Sequence, residues 1–232
     1  MGKVALISKT IGVGSYEKLT SEEIVSAVAR HGVVKEDNGK LIKYLMDNAH
    51  WSPLQHVSFG FKIETSRAIS AQIFRHRSLH FQETSQRYQE IQEFEDVELR
   101  MEHPTNRQSS TEAFDPEILI GTLFSPNRES DEIHEQASVL VNDFLESSKN
   151  LYKSLIEAGV AKECARMILP MCSKTTIHVS GTLRDLLAFL NVRLDIHSQK
   201  EVRDIANAMG EELEKEMPGV FGNLDWRNGM FM

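Results

Sequence analysis

The chain has 232 residues, 41% of them hydrophobic, and carries 34 acidic against 26 basic residues for a formal net charge of −8. That is enough apolar material for a sizeable core, which excludes a disordered chain; the negative balance disfavours a broad nucleic-acid or anionic-membrane surface while allowing a small anion held by a local group of arginines. Two cysteines (Cys164 and Cys172), no apolar run near the roughly 18–20 residues that span a bilayer, and no signal-peptide core in MGKVALISKT lead us to expect a cytoplasmic protein, free of disulfides, that binds neither membrane nor nucleic acid.

In chain order, a β-like run at residues 4–7 comes first, followed by helices at 21–30 and 39–49. The second of these carries Leu41, Ile42, Leu45 and Met46 as one apolar stripe. HVSFGFKIE alternates cleanly: Val57, Phe59, Phe61 and Ile63 point one way, and Ser58, Gly60, Lys62 and Glu64 the other. TSRAISAQIFRHR (65–77) reads as a helix that buries Ala68, Ile69, Ala71, Ile73 and Phe74. Gln72, Arg75 and His76 then share one face near its end.

Residues 102–129, polar and holding Pro104, Pro116 and Pro126, read as an irregular insert. A long helix is expected over 130–158, ended by Gly159, and a short one over 161–169, stopping before Pro170. SKTTIHVSG (173–181) is β-branched and reads as a strand. Thr182-x-x-Asp185 resembles a capping box opening a helix to residue 194, and 199–217 forms another amphipathic helix. The pattern predicts a single α+β domain over 1–232, with a small, mostly antiparallel sheet flanked by helices.

The chemistry concentrates in RHRSLHFQETSQRY, residues 75–88. Three arginines, two histidines and several hydroxyl and amide side chains crowd together in an otherwise acidic chain. Arginine presents a planar fork of donors matched to phosphate oxygens, and converging arginines repel unless an anion or carboxylates neutralise them. The alternatives at this point are a solvated basic turn paired with Glu83, Glu90 and Glu93, or a site reading a phosphate and a planar heterocycle.

Arg75-His76-Arg77, seven residues and then Ser85 is also the signature spacing of the flavin-dependent thymidylate synthases, which this chain resembles. The likeness extends to HWSPLQH (50–56), AQIFRHR (71–77), ECARMILP (163–170) and GTLRDLLAFLNVRLDIHSQ (181–199). The resemblance implies a methyltransferase that converts dUMP to dTMP with FAD, NAD(P)H and 5,10-methylenetetrahydrofolate, as a homotetramer with sites between subunits. It implies dUMP contacts at Gln72, Ile73, Phe74, Arg75, Glu83, Thr84, Ser85, Gln86, Arg87, Arg166 and Arg193. Contacts to FAD would come from Ser52, Arg75, His76, Arg77, Glu83, Thr182, Arg184, Ala188 and His197. His50 and Tyr88 would stack on folate or flavin rings.

Arg193 would be catalytic, favouring ionisation at the uracil N3. His80 and Gln82 stand where many members have Ser and Asn, Thr182 and Ala188 replace common amides, and Gln55 stands where Glu is frequent. Cys164, read as a core helix residue, and Cys172 are expected to be structural. His178 is expected to be a core histidine, and His31, His103 and His134 surface residues. No CxxC or HxxxH spacing implies a metal. A flavin-free nucleotide-phosphate hydrolase or transferase, or a nucleotide-binding regulator, is the alternative.

Overall fold

The computed structural model describes residues 2–35, 38–91, 93–123 and 131–229. In chain order the elements are β1 (Lys3–Lys9), α1 (Ser21–Ala29), α2 (Asn38–Asp47), β2 (Ser58–Ser66), α3 (Arg67–Ile73), β3 (His80–Glu83), β4 (Arg100–Glu102) and β5 (Ser110–Ala113). They continue as β6 (Glu117–Leu123), β7 (Asp131–Gln136), α4 (Ala137–Glu157), α5 (Lys162–Ala165), β8 (Lys174–Thr182), α6 (Leu183–Arg193), α7 (Lys200–Glu216) and α8 (Pro218–Phe221). The fold is α+β with small antiparallel sheets. The chain forms two compact units, Met1–Thr84 with Thr175–Met232, and Ser85–Lys174.

The first unit is built on a four-stranded sheet in the order β1-β2-β8-β3. The alternation of β2 is realised: Val57, Phe59, Phe61 and Ile63 are all buried, and Ile177 and Val179 of β8 extend the same apolar surface. Leu186, Leu187, Phe189 and Leu190 of α6 and Val202, Ile205, Met209 and Leu213 of α7 complete one continuous core. Helix α1 starts with a full capping box, Thr20 accepting from the Glu23 amide while Glu23 accepts from the Thr20 amide. Helix α7 packs without a side chain at Gly210, where a Cβ would lie 2.1 Å from the fully buried Trp226 ring.

Two junctions position the site. β2 and β8 each run straight into a helix, with Ser66 and Thr182 as extended N-caps of α3 and α6. Leu183 N–H donates to the Val57 carbonyl at 2.9 Å, so α6 starts beside the beginning of β2.

The second unit has hairpins β4–β5 and β6–β7, the 21-residue α4, α5 and a 3-10 turn at Arg166–Ile168. Its apolar surface is largely uncovered. In α4 only Ala137, Ser148 and Tyr152 are buried, while Ile118, Leu119, Ile120, Ile133, Phe144 and Leu151 are exposed.

Several expectations need correction. Residues 102–123 are not irregular, since they hold β5 and β6. The helix expected from 130 begins only at Ala137, because 131–136 pair antiparallel with β6 from Glu117↔Gln136 to Leu123↔Asp131. Pro126 and the expected helix start at residue 130 lie outside the described residues. Helix α3 is shorter than 65–77: β2 claims Thr65 and Ser66, and the helix ends at Ile73. Its buried face is Ile69, Ser70 and Ile73, leaving Ala71 exposed. Cys164 is exposed, since four-residue α5 buries Ala165 instead. His178 is exposed on the polar side of β8, between the inward Ile177 and Val179.

Replacing Gly210 by Ala gains about 1 kcal/mol of helix propensity but drives a methyl into an indole that cannot move as a flexible tip. The overpacking costs more, roughly 1–3 kcal/mol. We expect a net loss of stability, read as a lower denaturant midpoint with unchanged slope; an unchanged midpoint would show that the Trp226 pocket is not close-packed.

Candidate active site

Helix α3 ends in a tight turn, with Arg75 N–H reaching the Gln72 carbonyl at 3.3 Å and His76 N–H the Ile73 carbonyl at 3.2 Å. Ile73 before the turn and Leu79 after it are buried, and Phe74 stacks edge-on against Phe81 at 5.1 Å. The turn rests on Gly181, where a Cβ would stand 2.4 Å from the Leu79 side chain. These apolar anchors leave Arg75 and Arg77 exposed and His76 half-buried. Among the described residues neither arginine has a carboxylate within ion-pair distance. Ile73 is wholly in the core, so only its backbone is available to a ligand.

From the far end of α6 comes Arg193, half-buried. Its Nε donates to His76 Nε2 at 2.7 Å and its Nη2 to the Gln72 carbonyl at 2.9 Å. Both acceptors are neutral. Burial and the adjacent guanidinium lower the His76 pKa from 6.5 to about 4, so the ring is neutral at physiological pH. Accepting at Nε2 places its proton on Nδ1. The ring is braced edge-on against buried Phe189 at 4.8 Å. Burial lowers the pKa of Arg193 too, although a guanidinium remains charged at any physiological pH.

Gln72 is tied on its other side, its amide donating to Gln199 Oε1 at 2.5 Å while Gln199 donates to Glu201 at 2.8 Å. Glu83, expected at the substrate, has its carboxylate engaged by protein. It pairs with Arg67 and accepts from Ser70 Oγ at 2.8 Å and Thr175 Oγ1 at 3.1 Å. That clamp joins the first turn of α3 to β3 and β8, fixing where the last turn of α3 presents Gln72 to His76. Arg67, Ser70, Thr175 and Gln199 escaped the sequence reading. The only signal was the i, i+3 spacing of Arg67 and Ser70 beside an acidic residue in the next strand.

Thr182 caps α6 by accepting from Asp185 N–H at 3.3 Å, but the box is not reciprocal, because the Asp185 carboxylate takes the Thr182 hydroxyl at 2.5 Å. Arg184 and Ala188 lie exposed on α6. His197 is exposed, its backbone N–H held by Asp195 at 2.7 Å. Exposed Ser52 opens a 3-10 turn that buries Pro53 and Leu54, and exposed His50 meets Tyr44 edge-on at 6.3 Å. Among the described residues neither Ser52 nor His50 bonds to the Arg193 group. Thr84 is held to the Thr176 carbonyl through N–H and Oγ1.

In the second unit Ser85 and Tyr88 are exposed, and Arg87 makes a loose exposed pair with Glu163 at 3.5 Å. Gln86 is buried with its Nε2 unpartnered, and the Nε of half-buried Arg166 is likewise enclosed without a partner among the described residues. A cleft of ≈ 960 Å³ in the first unit, lined by Thr10, Val13, Glu17, Glu23 and Pro218 among others, contains none of these groups. Among the described residues no three His, Cys, Asp or Glu side chains converge to hold a metal, and no helix is long and apolar enough to cross a membrane.

Residues 8–219 match the family model described as thymidylate synthase complementing protein. The chain is 35% identical over 215 residues to a probable flavin-dependent thymidylate synthase of Paramecium bursaria Chlorella virus 1, covering 89% of this chain and 92% of that one. It is 35% identical over 213 residues to the flavin-dependent thymidylate synthase of Synechocystis sp., covering 90% and 92%. It is 32% identical over 187 residues to that of Thermus thermophilus, covering 80% and 62%. With a half-buried arginine free of carboxylates beside an Arg-His-Arg turn, and with relatives of this name along most of its length, the chain belongs to the flavin-dependent thymidylate synthases.

Proposed function

We propose that this methyltransferase converts dUMP to dTMP, taking its one-carbon unit from 5,10-methylenetetrahydrofolate and its reducing equivalents from NAD(P)H through FAD. The balance is dUMP, methylenetetrahydrofolate, NAD(P)H and a proton giving dTMP, tetrahydrofolate and NAD(P)⁺. The observation that carries the reading is the state of Arg193, a half-buried cation whose partners are both neutral. Loss of the N3 proton spreads negative charge over the uracil and enriches C5. A preorganised guanidinium not already neutralised stabilises that charge in a setting drier than water.

Activation by a thiolate finds no support at Cys172, whose thiol burial raises, the opposite of what a nucleophile needs. The flavin-free hydrolase and regulator alternatives lose their ground to the family match.

The residues suit an FAD. Arg75, Arg77 and Arg184 are exposed and have no carboxylate within ion-pair distance among the described residues. The Arg75–Arg77 turn leads into β3, whose His80 pairs with Ser180 three residues before α6 begins. Three unneutralised cations thus gather near a helix N-terminus, an arrangement that favours a pyrophosphate. His76, Thr182, Ala188, Ser52 and His197 are the other proposed flavin contacts. Bound there, FAD supplies the hydride that completes the methyl group.

Proposed dUMP ligands in the second unit are Ser85, Gln86, Arg87 and Arg166, a role supported by the enclosed, unpartnered nitrogens of Gln86 and Arg166. Gln72, Phe74, Glu83 and Thr84 complete the proposed set in the first unit, with Glu83 acting mainly through its clamp. Exposed His50 and Tyr88 are free to stack on rings. We further propose that both units make one functional domain, which the family match across residues 8–219 supports. In the proposed homotetramer the sites lie between subunits; the exposed apolar residues of the second unit support such an assembly.

Arg193→Ala is expected to lower dTMP formation roughly 10²–10³-fold with thermal stability retained; normal turnover would remove Arg193 from the chemistry. After incubation with FAD and desalting, the protein should keep a flavin spectrum that dUMP perturbs, whereas a colourless, well-folded protein would contradict the flavin site. Light scattering should give the mass of a tetramer, and a sharp monomer would refute the shared-site assembly.

A further inference from the structure

We infer that His76 is a positioning residue that acts through Arg193, fixing the guanidinium by a neutral acceptor so that its full positive charge is presented to the uracil. The inference deepens the proposed site and rests on it. A long arginine side chain is rich in rotamers and points reproducibly only when several of its N–H groups are held. Here two are held from one side: Nε by His76 at 2.7 Å and Nη2 by the Gln72 carbonyl at 2.9 Å. Nη1 has no partner among the described residues and remains for a ligand.

Each acceptor is itself immobilised. The His76 ring is braced by Phe189, and its backbone is bonded to Ile73. Gln72 is anchored through Gln199 to Glu201.

The choice of acceptor matters as much as its place. A carboxylate at this position would bind the guanidinium more strongly but cancel the charge on which the uracil anion depends. A neutral imidazole and a peptide carbonyl orient the group without neutralising it. Among the described residues no Asp or Glu bonds to Arg193, and the charge that acts on His76 is that of Arg193 itself, which together with burial keeps the ring unprotonated. The resemblance gives His76 a flavin contact; the geometry adds a role directed at the other substrate.

The test is dUMP affinity in the FAD-loaded protein, measured by calorimetry as a double-mutant cycle. His76→Leu, which removes the acceptor, should weaken dUMP binding about tenfold or more, as loss of a hydrogen bond to a charged group does. In the Arg193→Ala background the same change should cost less than about twofold, because nothing remains to be positioned. His76→Gln, whose amide oxygen can reach the Nε2 place, should stay within about threefold of the native affinity, and it keeps the test open should the leucine variant not fold. His76→Glu should lose dUMP affinity even though its bond to Arg193 is stronger. Equal losses from His76→Leu in both backgrounds, or a glutamine variant as weak as the leucine one, would overturn the inference while leaving the proposed site standing. An Arg193→Ala protein that binds dUMP like the native one would overturn both.

Discussion

Taking a guanidinium partly out of water is costly, and proteins usually meet the cost with a carboxylate. At Arg193 this protein meets it with a histidine nitrogen and a peptide carbonyl. Much of the first unit follows from supplying those two acceptors at one point. Helix α6 starts beside the beginning of β2, runs along the core for eleven residues, and delivers Arg193 in its last turn. Helix α3 starts from the other end of β2 and is stopped after seven residues, so that its C-terminal carbonyls and the His76 ring meet the guanidinium. The C-terminal partial charges of both helices favour a cation there without offering a full negative charge. Apolar packing of Leu186, Phe189 and Leu190 sets the rotation of α6 that brings Arg193 to this spot.

The contrast with net charge is instructive. A chain with eight more acidic than basic residues has carboxylates to spare, yet Arg75, Arg77, Arg184 and Arg193 have none within ion-pair distance among the described residues. Acidic residues elsewhere pair readily: Lys9 with Glu216, Lys174 with Glu93, Arg227 with Glu214. The segregation keeps a small positive region inside an acidic surface. Such an arrangement suits a small anion over short range and disfavours extended polyanions over long range.

Some of this was legible in the residues and some was not. The β2 strand could be read because its two faces differ in polarity at every step, and a core needs that face. Helices α1, α2, α6 and α7 could be read because their apolar stripes meet one continuous core. The hairpins of the second unit could not: their strands bury almost nothing, so Ile118, Leu119, Ile120 and Ile133 have no polar–apolar alternation to show. The end of α3 was misjudged because Phe74 extends the apolar spacing into what is a turn. Cys164 and His178 were misplaced for a shared reason, since apolar neighbours in sequence do not fix which way a short element faces. In the site, residue types were legible and pairings were not. Nothing local joins Glu83 to Thr175 or Arg193 to His76, which lie 92 and 117 positions apart.

The two arginines at the ends of α3 show how a structural cation differs from one kept for chemistry. Arg67 at the start is paired with Glu83, and that carboxylate takes further bonds from Ser70 and Thr175 until its oxygens are occupied. Such a network is locally neutral, resists rearrangement and has little left to offer a ligand; its work is to hold α3 against β3 and β8. Arg193 at the other end is oriented as firmly but remains positive, with Nη1 uncommitted among the described residues. Had the partners been exchanged, Glu83 facing Arg193 and a neutral acceptor facing Arg67, the helix would still be pinned at both ends. The charge would then sit where no substrate can use it. Stability alone does not distinguish the two arrangements; the role proposed for Arg193, stabilising an anion on a uracil, does, and that role requires the one observed.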